Sequence, residues 1–239
     1  GREDSAVLPT AIVDAIAGTL TAMAQVVPGL ERVWIVTGSQ IMDQIYLDHA
    51  RAAVDAMPGG PDVEFLHGLS LDALAARLAD PPPDTAVLLL TYEGDPQGNI
   101  YRTVPDVLPR LLEVSAAPVF AAYDSMLGVG AVGGVMTSAR SYGEQAARMA
   151  LAIAERGSGA VAAGEPSLRT AFDVSALRRF GLSPERIPAG AELINDAAPG
   201  YLEYLWEFVL ALVIIVLQLG LIVTLWHLLR QDELPEILQ

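Results

Sequence analysis

From Phe208 to Trp226 the chain reads FVLALVIIVLQLGLIVTLW, with no charged side chain in the run. As a helix rising about 1.5 Å per residue, it would nearly span a hydrocarbon core of roughly 30 Å. Tyr201, Tyr204 and Trp206 precede the run and Trp226 closes it, where interfacial aromatic belts fall. Gln218 and Gly220 sit inside it, as polar or small residues do where one membrane helix packs on another. The pattern predicts a transmembrane helix with its interfacial flank over 201–230 and a short cytoplasmic tail over 231–239. Arg230 after the span, with Glu203 and Glu207 before it, puts the C-terminus inside. A buried core helix is the competing reading, but core helices seldom run this long without a charge.

Ahead of that helix the composition is that of a folded domain. Of 239 residues, 52% are hydrophobic and 18% charged, which excludes a disordered chain. The length suffices for a sizeable core without covalent staples. The net charge is −15 and all 14 basic residues are arginine, so a phosphate backbone would be repelled and nucleic acid is excluded as a partner. There is no cysteine, hence no disulfide, thiolate nucleophile or zinc–cysteine site. His49, His67 and His227 are far apart and lack metal-ligand spacing, so no metal is expected. No signal-peptide pattern follows Gly1, which reads as a mature chain or one cut from something longer.

Residues 9–25 carry apolar positions Ile12, Ile16, Leu20 and Met23 near helical spacing, and Pro28-Gly29 ends that helix. A rhythm then begins. Strand candidates at 33–36, 63–66, 86–90 and 118–121 alternate with helical patterns at 41–57, 71–79 and from Pro105 to about Ser115. Ser70 is placed to cap the helix at 71–79, and Pro81-Pro82-Pro83 to stop it. Such alternation implies right-handed βαβ units. The uninterrupted apolar strands imply a sheet covered on both faces. The predicted fold is α/β, a doubly wound parallel sheet over about 30–125. A glycine-rich stretch, a helix over 139–156, a link containing Gly157, Gly159 and Gly164, and a mixed segment over 172–196 follow.

Open parallel sheets bind ligands beyond the C-terminal ends of their strands. After the first strand come Thr37, Gly38, Ser39, Gln40 and Asp43. After the third come Thr91, Tyr92, Glu93, Gly94 and Asp95, and after the fourth Tyr123, Asp124 and Ser125. Hydroxyls, carboxylates and aromatic rings in one place suit a polar or amphipathic small molecule, an amino acid or an aromatic compound. Ser39, Gln40, Tyr92, Asp95, Tyr123, Asp124 and Ser125 are the candidate ligand contacts. The same residues also read as ordinary loop positions and caps, with Ser39 and Asp43 starting the next helix.

Enzyme chemistry is weakly signalled. Gly128 to Gly133 matches G-x-G-x-x-G, but a dinucleotide fingerprint belongs in the first βα turn with an acid closing the second strand. Here it follows the fourth strand, and a flexible crossing between lobes is the expected use of these glycines. Asp124 and Ser125 have no histidine in triad order, and G-x-S-x-G is absent. Glu93 and Asp95 could work as an acid–base pair, but alternating loop side chains do not show convergence. No catalytic residue and no cofactor are assigned.

Several segments resemble the substrate-binding-protein-like sensor regions of bacterial membrane-bound sensor histidine kinases, themselves similar to type I periplasmic binding proteins. Arg32-Val33-Trp34-Ile35-Val36-Thr37-Gly38 is similar to the strand opening the second lobe. Pro118 through Gly128, running into Gly130-Ala131-Val132-Gly133-Gly134, resembles the D-x-x-L-G-x-G-x-V-G-G return crossing. Tyr142-Gly143 through Ala150 is similar to the helix after it. Phe172 through Leu182 with Ile187-Pro188-Ala189-Gly190, then Trp206-Glu207, resembles the end of the sensor and its entry to the membrane helix. The resemblance covers about 9–230.

It implies a partial first lobe over 1–29, a ligand-binding lobe over 30–127, and a return crossing with more of the first lobe over 128–200. A complete sensor of this kind has most of its first lobe ahead of the matched stretch, so the chain reads either as a fragment of a larger receptor or as a reduced protein completed by a partner, with helices 9–25 and 139–156 exposing apolar faces here. The expected function is small-molecule sensing outside a bacterial inner membrane, signalling by lobe closure across a homodimer. Two alternatives stay open: a membrane-anchored substrate-binding component of an ABC transporter, and a non-catalytic interaction subunit.

Overall fold

The computed structural model describes residues 7–156, 168–196 and 205–232. The Gly157–Gly164 link, the Tyr201–Tyr204 flank and the tail over 233–239 lie outside them. The chain divides into two compact units, Gly1–Asp196 and Ala197–Gln239.

The first unit opens with α1 (Val7–Val26), followed by β1 (Arg32–Val36), α2 (Ile41–Asp55) and β2 (Asp62–Leu66). Next come α3 (Leu71–Ala79), β3 (Thr85–Leu89), α4 (Leu108–Val114) and β4 (Val119–Ala121). The four strands form one parallel sheet in the order β2-β1-β3-β4, with β1 at the switch between the two winding directions. Side chains alternate across it with period two. Val33, Ile35, Ala86 and Leu88 face the core built with α1 and α2. Trp34, Val36, Val87 and Leu89 face the core built with α3 and α4. Both faces are therefore covered, and this is why β3 is buried along its whole length. The sheet is doubly wound, as its sequence pattern predicts.

Local signals explain most boundaries. The Ser70 side chain accepts from the Ala73 N–H at 3.2 Å and starts α3. Leu71, Leu74 and Leu78 follow on its buried face, each adding roughly 2 kcal/mol of burial. The segment from Pro105 departs from the expected plain helix. Residues Thr103–Val107 make one wide turn, with the Leu108 N–H reaching back to the Thr103 carbonyl, and α4 proper starts at Leu108. Pro109 has no N–H to give Pro105, so the regular ladder cannot begin earlier.

After β4 the chain forms β5 (Gly133–Met136), α5 (Ala139–Arg156), β6 (Arg169–Asp173), α6 (Val174–Arg179) and β7 (Glu192–Ile194). β5 pairs antiparallel with β6, and β6 parallel with β7. The glycine-rich stretch thus carries the chain from the parallel sheet to the second sheet, and its last two glycines already belong to β5. A Cβ on Gly133 would stand 2.2 Å from the Ala171 carbonyl oxygen, and one on Gly134 2.6 Å from that of Ala121. Both glycines also hold positive φ, at 133° and 153°. Close backbone approach is what these positions need.

α1 lies against β5 and α2. Its buried Thr19 hydroxyl donates to the Val135 carbonyl and accepts from the Val135 N–H, both at 2.9 Å. One helix side chain thereby satisfies an edge of β5, as a neighbouring strand would. Ile12, Ala15, Ile16, Leu20 and Met23 are buried with it. This corrects the expectation of an exposed apolar face on the first helix: β5 and α2 cover it. On α5 the expectation agrees with what is seen, since Leu151 is 63% exposed and Ile153 44%.

The second unit contains α7 (Leu205–Asp232). Its 24 residues from Trp206 to Leu229 are long and apolar enough to cross a membrane. The Thr224 hydroxyl donates to the Gly220 carbonyl at 2.8 Å, which satisfies it within the helix.

Candidate functional site

The sequence-predicted residues separate into two places. The first is the switch point, where the loops after β1 and β3 meet. The Gly38 N–H donates to the Thr91 carbonyl and the Ser39 N–H to the Gly94 carbonyl, both at 2.9 Å. Asp43, fully buried, accepts from the Gln40 N–H at 2.9 Å and from the Glu93 N–H at 3.1 Å. It therefore caps α2 and ties that helix to the other loop at once. A Cβ on Gly38 would lie 2.6 Å from the Gly94 carbonyl oxygen, so the backbones touch. The crevice that open parallel sheets offer to ligands is here closed by the chain itself.

Tyr92 and Asp95 serve that closure and do not line the cleft described below. The Tyr92 hydroxyl donates to the Leu69 carbonyl at 2.8 Å, and its N–H donates to the Thr103 hydroxyl at 2.8 Å. Burial, reinforced by Asp95, pushes its phenol far above the usual range. Asp95 accepts from the Asn99 side-chain amide at 2.8 Å, from the N–H groups of Gln97 and Asn99 at 3.0 Å, and from the Tyr101 hydroxyl at 3.2 Å. Those bonds, the Asn99 amide first, hold its carboxyl below the usual range against the opposing effect of burial. Ser39 and Gln40 belong to the same closed loop, although the buried Ser39 hydroxyl has no hydrogen-bond partner.

The second place is a cleft of about 570 Å³. Tyr123, Asp124 and Ser125 form one wall, just beyond β4. Met42, Ile45, Tyr46 and His49 of α2 form another, and Ile12 of α1 also lines the cleft. Thr137, Ala139 and Tyr142 come from the turn between β5 and α5 and its first residues. The turn is anchored on both sides. The Asp124 N–H donates to the Thr137 carbonyl at 3.2 Å, and the Thr137 N–H to the Ala122 carbonyl at 3.0 Å.

The aromatic wall is ordered edge to face. Tyr46 meets Tyr123 at 5.6 Å between ring centroids and an interplanar angle of 83°, and meets the His49 ring at 6.1 Å and 73°. Burial pushes the Tyr123 phenol far up. The nearby Tyr46 hydroxyl adds to that shift while lying outside hydrogen-bond geometry. Tyr123 Oη and His49 Nδ1 are both buried without a partner, an uncommon state for interior polar atoms. Tyr46, His49, Tyr142 and the two α2 aliphatics are absent from the sequence-predicted set. Their signal was the spacing 42, 45, 46, 49 on α2, an apolar stripe offset from the core stripe of Leu47, Ala50 and Ala53.

No protein-family model and no curated protein matches the sequence. Solved structures do match the fold. The ABC domain in complex with L-Trp from Streptococcus pneumoniae superposes with a TM-score of 0.54 at 14% identity, over 75% of this chain and 62% of that one. A ligand-free, open substrate-binding protein with adhesive properties from Clostridium difficile gives 0.56 at 12% identity, over 74% and 58%. A conserved domain protein from Vibrio cholerae gives 0.52 at 16% identity, over 74% and 59%. The first unit therefore has the fold of substrate-binding-protein domains. The chain spans about three fifths of the length of these neighbours.

Proposed function

We propose that this chain is the extracytoplasmic small-molecule-sensing region of a single-span receptor in a bacterial inner membrane, of the kind that carries a sensor histidine kinase. The observation that carries the reading is the cleft of about 570 Å³ with its aromatic wall and unpartnered buried polar atoms, within a substrate-binding-protein fold. Pockets of this size and character take small organic ligands. In this reading Tyr123, Asp124 and Ser125 contact the ligand, while Ser39, Gln40, Tyr92 and Asp95 hold the adjoining loops in place. A ligand in the cleft touches α1, α2 and the start of α5 together. Its differential affinity for two arrangements of those helices is the source of the signal. The apolar helix α7 anchors the receptor in the bilayer, and a homodimer transmits the change.

The L-Trp bound by the pneumococcal protein supports starting with ligands that have an aromatic body. The test is thermal unfolding of the full chain in nanodiscs against a panel of amino acids, aromatic acids, amines and neutral aromatics. At least one class is expected to raise the midpoint, and the double variant Tyr123→Ala/Asp124→Ala to abolish the rise while still melting cooperatively. A panel without any shift, or a shift the double variant keeps, refutes the cleft assignment.

The fold shared with an ABC domain and a substrate-binding protein favours a second reading. In it, the chain is the anchored binding component of an ABC transporter. Co-purification with a permease from native membranes supports transport. Ligand-dependent phosphorylation of a histidine kinase fused to this chain supports sensing.

A further inference from the structure

Among the described residues lining the cleft, Asp124 is the one acid, and no arginine is present. The chain has no lysine, so among the described lining residues His49 is the one side chain able to carry a positive charge. A ligand carboxylate would enter this cleft facing a carboxylate and no guanidinium. Recognition of carboxylates normally relies on such a partner.

Asp124 is also uncommitted. Its carboxylate makes no hydrogen bond or ion pair, whereas its N–H is fixed to Thr137. Arg169, a cation close enough to feel its charge, is engaged elsewhere, donating to Glu192 at 2.7 Å. The rings of Tyr46, Tyr123 and Tyr142 line the same cleft as Asp124, and aromatic faces attract cations. Tyr123 Oη and His49 Nδ1 are buried and unpartnered, and each can accept a hydrogen bond from an N–H donor. An ammonium offers three donors and requires no donor in return. The net charge of −15 would steer cations toward the protein.

We infer that the cleft selects organic cations: a protonated amine on an apolar or aromatic body, with Asp124 as counter-ion and the tyrosine rings and Met42 and Ile45 enclosing the body. This rests on the cleft being the binding site. It narrows the ligand class away from amino acids and aromatic acids, whose carboxylates lack a partner here.

The test uses the full chain in nanodiscs of neutral lipid and isothermal titration with four compounds sharing one body: 2-phenylethylamine, 2-phenylethanol, 3-phenylpropionate and phenylalanine. The amine should bind tightest, with the alcohol about tenfold weaker and the acid and zwitterion weaker still. Asp124→Asn should lower amine affinity to that of the alcohol and leave the alcohol unchanged. Added salt should weaken the amine alone. Because the Asp124 carboxylate supports no part of the fold, the variant should melt as the parent does.

An acid or zwitterion binding as tightly as the amine overturns the inference and leaves the cleft assignment standing. So does amine binding that Asp124→Asn does not change. Amine binding that survives Tyr123→Ala/Asp124→Ala overturns both. If none of the four compounds binds, the amine assignment fails, and the wider panel decides the cleft separately.

Discussion

Asp43 and Asp124 both follow a strand of the same parallel sheet, and the fold treats them in opposite ways. Asp43 is fully buried and accepts backbone N–H groups from two loops. Asp124 is partly exposed, and its carboxylate accepts nothing. The tyrosines nearby repeat the contrast. Tyr92 delivers its hydroxyl to the Leu69 carbonyl, while the buried hydroxyl of Tyr123 has no partner. One region uses its carboxylates and the Tyr92 phenol to close the sheet's switch point, although the hydroxyls of Thr37, Ser39 and Thr91 there stay buried without a partner. The other leaves its carboxylate and its unpartnered phenol on an open cleft. Polar residues beyond strand ends therefore mark a site only where unused hydrogen-bonding capacity coincides with open space.

The contrast breaks most readily at Asp43. Asp43→Ala leaves the Gln40 and Glu93 N–H groups without an acceptor and is expected to cost about 3 kcal/mol. Asp124→Ala is expected to cost less than about 0.5 kcal/mol. Denaturant titrations of the two variants measure the difference, and equal midpoints would contradict it. The tyrosines give a smaller, sharper pair. Tyr92→Phe should cost about 1 kcal/mol by orphaning the Leu69 carbonyl, whereas Tyr123→Phe should be neutral or slightly stabilising.

The smallest effect is on acid stability. Because the Asp95 carboxyl is held below the usual aspartate range in the fold, its contribution is fully present above the pKa of the unfolded chain. The contribution fades as the pH falls through the lower, folded-state pKa. Asp95→Asn should therefore lower the neutral plateau of the stability curve slightly and flatten its acid limb, so that parent and variant converge toward acid pH. An unchanged acid limb would mean that the 95–101 loop is not what Asp95 holds.

Much of the architecture was legible before any coordinates. The strands at 33–36, 63–66 and 86–90 and the helix at 71–79 follow from apolar runs, β-branched residues and the Ser70 cap, all of which are local. β5 was not legible, because two of its four residues are glycines and it is held by partners distant in the chain, Thr19 and β6. The cleft was half legible. Tyr123, Asp124 and Ser125 stand at a strand end, where position alone suggests them. Tyr46, His49 and Tyr142 lie on helices, and α2's outward stripe has meaning only once the loop after β4 is brought beside it.

Residue order by itself determined that the chain alternates buried strands with helices and ends in a helix apolar enough for a membrane. Both properties are set by the spacing of apolar side chains, which backbone hydrogen bonding converts directly into elements. Only the tertiary structure decided which polar residues remain free. Whether a carboxylate caps a helix or faces a cleft depends on which N–H groups reach it. In the case of Asp43 one of those groups belongs to Glu93, 50 residues away along the chain.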